Sequence, residues 1–182
     1  MAVDLFQPFM NPVTGESFRC LSNTEDAYVM EWIVQPNGFV PFEHIHVSQD
    51  EIFHVKQGQI RVLINRQEQI GSAGQTVTVP RGVRHIAYNN TSEPLMCVVE
   101  YKPGLEISKF FQCFGGLTND GDMDRRTGIN IPKMMYFMGK VNAKVVARPA
   151  SIPAPIFGLL MRGFYVVGAL AGWEKSFKKY TE

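Results

Sequence analysis

The sequence predicts an antiparallel all-β sandwich or barrel in its first half and a helical extension in its second. Three observations carry this. From about residue 17 to residue 102 the chain is a series of short apolar-rich runs split by Gly, Pro and Asn, at the spacing expected of antiparallel strands. After Pro103-Gly104 the apolar spacing lengthens toward 3.6 residues, the helical period. With 45% hydrophobic residues and 13 Phe in 182 positions, the chain can bury the core of one domain and is not compositionally disordered.

The strand candidates follow in order: "AYVMEWIV" (27–34), "EIFHVKQG" (51–58), "QIRVLINR" (59–66), "QTVTVP" (75–80) and "LMCVVEY" (95–101). Val, Ile, Thr and aromatic residues dominate them, the composition that fits a pleated, half-buried surface. In the last run alternation turns inward either Met96, Val98 and Glu100 or Leu95, Cys97, Val99 and Tyr101, and periodicity does not choose between them. "LEISKFFQCF" (105–114) has helical spacing, and Gly115-Gly116 reads as its stop. The loop "TNDGDMDRRTG" starts like a calcium loop at Asp120, Asp122 and Asp124. It fails because Arg125 stands where Gly is needed and Ile131 where a bidentate Glu is needed. "PKMMYFMGKVNAKVVA" (132–147) and an apolar segment, 153–173, complete the extension. The division expected is a barrel with N-terminal strands over 1–104 and helices over 105–182 that pack on the barrel or on a partner.

Net charge is +1, so no global field recruits nucleic acid, and no helix-turn-helix stands out. Cys20, Cys97 and Cys113 form no CxxC pair, and "MAVDLFQPFMNPVTGE" has no basic and apolar leader pattern; both fit a cytoplasmic protein with reduced thiols. Segment 153–173 is long enough to span a bilayer, yet it carries Arg162 near its middle and four internal glycines, which oppose insertion and helix formation. Peripheral membrane contact, helped by Lys175, Lys178 and Lys179, is the less favoured reading. Phosphate-loop, dinucleotide and GxSxG patterns are missing.

Two of the four histidines fall in "EHIHVSQDE" (43–51). On a strand, residues i and i+2 share a face, so His44 and His46 project side by side about 6.6 Å apart at the backbone, close enough to converge on one ion. Glu51 opens the next strand and, if that strand pairs antiparallel with the first, brings a carboxylate beside them. His85, after a Pro-Gly turn, is the candidate fourth ligand. His54 alternates with Glu51, Phe53 and Val55 and so points away.

These residues carry a resemblance. "GFVPFEHIHVSQDEIFHVKQG" (38–58) matches the first cupin motif, with Gly38, His44, His46, Glu51 and Gly58 in its defining places. "GQTVTVPRGVRHIAYN" (74–89) matches the second, with Gly74, Pro80, Gly82, His85 and Asn89. The 15 intervening residues are the short spacing of small cupins. The chain thus resembles the small single-domain, quercetinase-like members of the cupin superfamily over about residues 27–102. The resemblance implies a jelly-roll barrel, one divalent metal ion (Fe, Mn, Ni, Co or Zn) on His44, His46, Glu51 and His85, and pairing as a homodimer. Gly38, Gly58 and Gly82 are expected to adopt positive φ at turns, and Asn89 to cap the end of its strand.

Shared strand faces place Phe42 with the first two histidines, Phe53 and Val55 with Glu51, and Val83 and Ala87 with His85, which outlines an apolar pocket for a small aromatic or hydrophobic molecule. The functional expectation is a metalloenzyme of dioxygenase-like or isomerase type in which Glu51 accepts the substrate's hydroxyl proton. The alternatives are a non-catalytic small-molecule-binding or sensor protein and, less favoured, a membrane-docked accessory protein.

Overall fold

A computed structural model describes residues 2–141 and 147–182. Residues 142–146, inside the stretch read above as 132–147, lie outside the described residues. Among the described residues eleven strands form two facing antiparallel sheets. The strands are β1 (Phe9–Asn11), β2 (Glu16–Asn23), β3 (Tyr28–Val34), β4 (His44–His46), β5 (Asp50–Gln57), β6 (Gln59–Ile64), β7 (Gln67–Ser72), β8 (Thr76–Val79), β9 (Arg84–Tyr88), β10 (Leu95–Lys102) and β11 (Ala147–Pro149). One sheet has the order β1-β2-β3-β10-β5-β8 and the other β11-β4-β9-β6-β7. This is a jelly-roll barrel with C-terminal helices α1 (Ile107–Asn119), α2 (Ile131–Met138), α3 (Ala154–Leu170) and α4 (Glu174–Thr181).

The core lies between the sheets and is set by period-2 burial. β3 alternates without interruption, burying Tyr28, Met30, Trp32 and Val34. β10 buries Leu95, Cys97, Val99 and Tyr101, which resolves the two inward sets that the sequence left open. The last strand, β11, pairs with β4 through Ala147↔His46 and Pro149↔His44, so the C-terminal half returns to the barrel and adds an edge strand to the sheet that carries the two histidines. At Gly38 the reason for glycine is close approach and not positive φ: an added Cβ would lie 2.6 Å from Val34 Cγ1 and 2.9 Å from two carbonyl oxygens. Gly82, at φ +77°, does take the left-handed conformation in the turn before His85.

Helix α1 does not stop at Gly115-Gly116 but runs through both to Asn119. The pair serves packing. A Cβ on Gly115 would press on the Phe9 ring at 3.1 Å, and one on Gly116 would fall inside van der Waals contact of the Tyr180 ring. The glycines therefore let β1 and α4 approach α1. Gly116→Ala gains about 1 kcal/mol of helix propensity and incurs about 1–3 kcal/mol of overpacking. We expect a net loss of stability in urea unfolding, and a stabilised variant would show that α4 is displaced from α1 without cost.

α3 packs on α2, with Gly168 against the Tyr136 ring, Tyr165 5.6 Å from it and Phe157 buried. Its remaining surface is exposed and apolar, including Leu159 at 70% and Leu170 at 85% exposure. Among the described residues α2 is the element this helix packs on most extensively. Among the described residues no single helix is long and apolar enough to cross a membrane, and α3 meets α4 at 95°. Lys179 of α4 is held by Asp120 at 2.6 Å.

Candidate metal centre

His44 and His85 come together because β4 pairs with β9 in a register that sets them directly opposite. His46 follows two residues on along the same face. Glu51 arrives differently from the expectation. β4 and β5 do not pair; they belong to opposite sheets, and the carboxylate reaches the histidines across the barrel from β5, whose register places it beside Tyr101 of β10 and Val79 of β8. The loop before it is anchored by buried Gln49, whose Nε2 donates to the carbonyl oxygens of Pro103 at 2.8 Å and Gly104 at 3.1 Å.

One donor atom from each of His44, His46, Glu51 and His85 lies within 4.8 Å of the others. The orientation of two rings is fixed by backbone. His44 Nδ1 lies 3.1 Å from the Phe42 carbonyl oxygen and His85 Nδ1 3.1 Å from that of Val83. A carbonyl oxygen only accepts, so Nδ1 carries the proton and Nε2 turns inward. There His44 Nε2 meets His46 Nε2 at 3.2 Å, and His85 Nε2 meets Glu51 Oε2 at 2.7 Å. Glu51 Oε1 accepts from the Tyr101 hydroxyl at 2.7 Å, which leaves Oε2 toward the imidazoles.

The electrostatics describe a cluster short of positive charge. Burial pushes the His44 imidazolium down, to about 3, with His46 and His85 adding to the effect. Burial opposes the charge on Glu51, but the His46 and His85 imidazoles overcome it and hold the carboxyl well below its usual range. Burial likewise lowers His85, yet its hydrogen bond to Glu51 raises it overall. Burial and the Glu51 charge keep the Tyr101 hydroxyl protonated far above its ordinary range. Among the described residues His46 Nδ1, which is buried, has no hydrogen-bond partner. Inward nitrogen lone pairs around one carboxylate, satisfied only by shared protons, are what a divalent cation would satisfy in full, so the donor set fits a metal.

The four groups open onto a cavity of about 140 Å³. Of the residues expected to line it, Phe42, Phe53 and Ala87 do. Val55 and Val83 lie outside the lining. Val55 packs deeper in the barrel, where a Cβ on Gly71 would touch it at 3.3 Å, and Val83 instead supplies the carbonyl that orients His85. His54 faces outward, between Glu100 Oε1 at 2.7 Å and Thr76 Oγ1 at 3.1 Å. His54→Ala should therefore leave metal content unchanged in elemental analysis; a large loss would contradict this strand parity. The lining also includes residues the motifs do not mark: Tyr101 belongs to one of the two inward sets that alternation leaves open, the α1 aromatics have no visible link to the barrel in the sequence, and Glu16 on β2 stands in no motif.

Residues 30–101 match the family model described as a cupin domain. No curated protein matches the chain. Among solved structures the chain is similar to KdgF from Halomonas sp., at 16% identity and TM-score 0.49, covering 57% of this chain and 92% of that one. It is also similar to the Schizosaccharomyces pombe Cnp3 cupin domain, at 18% and 0.46, covering 48% and 64%. A sugar phosphate isomerase of the cupin superfamily from Silicibacter pomeroyi gives 22% and 0.46, covering 50% and 60%. With two facing sheets closed around the motif residues and the family match over 30–101, that part of the barrel is a cupin domain.

Proposed function

We propose that this protein is a metalloenzyme that acts on a small apolar or aromatic organic substrate by dioxygenase-like chemistry. The observation that carries the reading is the convergence of His44, His46, Glu51 and His85 at one wall of a cavity otherwise lined mainly by aromatic and aliphatic side chains. Three neutral imidazoles and one carboxylate suit Fe, Mn, Ni, Co or Zn. A divalent ion bound there supplies Lewis acidity to an oxygen-bearing substrate.

The chain's own residues do the rest. Phe42 and Phe53 bound the space beside the donors and exclude water from it. Tyr101 holds Glu51 by one oxygen, so the other is the atom that accepts a proton from a substrate hydroxyl. Because Glu51 is held well below the usual carboxylate range, a proton it takes is held weakly and is handed back to the bound substrate. Oxygen uptake by metal-loaded protein with enols or β-diketones tests this. Uptake that His46→Ala abolishes supports the enzyme; tight binding of the same compounds without turnover replaces it with a binding or sensor protein.

A further inference from the structure

The cavity has a second polar pole that metal binding does not explain. Glu16 lines it from β2 and is 3% exposed. Its Oε1 accepts from Trp32 Nε1 at 3.0 Å. The register pairs Glu16 with Val34 on β3 and Asn11 on β1, so it belongs to strands other than those that carry the metal donors. Burying a carboxyl is costly unless it is paired, and among the described residues no cation is given as its partner. The indole N–H alone would be satisfied as well by a neutral amide oxygen. Trp32 and Thr14 offset only part of the cost of burying the carboxyl.

We propose that Glu16 is a ligand-anchoring residue: it donates a hydrogen bond from its protonated carboxyl to an oxygen at the end of the bound molecule remote from the metal donors. This rests on the metal-centred reading of the cavity and narrows its ligand class to compact, ring-bodied molecules with a chelating oxygen pair at one end and a single acceptor oxygen at the other. The groups that face Glu16 are Thr14, the Trp32 indole and, across the cavity, Glu51. Burial, outweighing Thr14 and Trp32 and helped by the Glu51 charge, pushes the carboxyl from 4.5 up to about 7, so at pH 6 it holds the proton it must donate.

The test compares two isosteric probes, 5-hydroxytropolone and 5-methyltropolone, which share the chelating pair and differ at the opposite end. Each is titrated by absorbance into cobalt-loaded protein at pH 6. Wild type should favour the hydroxy compound about tenfold, the value of one well-made hydrogen bond. Glu16→Gln, whose amide still donates and still accepts from Trp32, should keep most of that preference, and Glu16→Leu should lose it while binding the methyl compound as before. Equal affinity for both probes in wild type overturns the anchor and leaves the metal centre standing, a result that needs no variant to fold. If neither tropolone binds, the metal-centred reading falls and the anchor with it.

Discussion

His85→Ala and His46→Ala should each strip the purified protein of most of its metal, with an affinity loss beyond the 10–100-fold typical of removing an outer partner of a ligand. His85 carries the larger effect because three features converge on it. It is 1% exposed, its Nδ1 is oriented by the Val83 carbonyl, and its Nε2 lies 2.7 Å from the Glu51 carboxylate. Removing it leaves that carboxylate with His46 Nε2 at 3.4 Å and the Tyr101 hydroxyl as partners. The barrel should stay folded, since the β4–β9 pairing is made by backbone and the core beneath by Ala87 and Val62. Elemental analysis after purification without chelating resin, with circular dichroism as the fold check, reads both. Full metal content in either variant would remove the site.

The donors were legible because the strand period and the motif spacing are both local. His44 and His46 need only a period of two, and the Pro80-Arg81-Gly82 turn announces His85. The path of Glu51 was not legible. Its spacing from the histidines fits a direct hairpin, but from β3 to β6 consecutive strands enter opposite sheets, and nothing in the four residues between His46 and Glu51 distinguishes a hairpin from a crossover. Gly115-Gly116 misled for a related reason. Glycine marks either a chain that must bend or a neighbour that must come close, and the neighbours, Phe9 and Tyr180, are remote in sequence. Tyr101 and Glu16 escaped because each acts through a partner 50 or 16 residues away, a distance no periodicity reports. Short β11 carries too few residues to show a period at all.

Phe111→Ala is expected to have the largest effect on stability, about 3–5 kcal/mol, a substantial part of the 5–15 kcal/mol of a typical domain. Phe111 is where the helical half meets the barrel. It is 3% exposed, stacks on Tyr28 at 5.3 Å and 7°, and touches Phe18 at 5.7 Å and Tyr101 at 6.0 Å. Its ring also lines the cavity, so truncation enlarges a space that already exists instead of opening a new one that could collapse. The cost should therefore approach the upper end of the range, lowering the melting temperature by about 10 °C. The space the ring leaves is bounded by Phe18, Tyr28 and Tyr101 and fits a small aromatic guest, so added benzene should restore part of the loss. Metal content should fall only slightly, because Phe111 touches the centre through Tyr101 alone. A loss below about 1 kcal/mol would mean that α1 lies on the barrel without closing it. A steep loss of metal would mean that α1 holds Tyr101, and through it Glu51, in place.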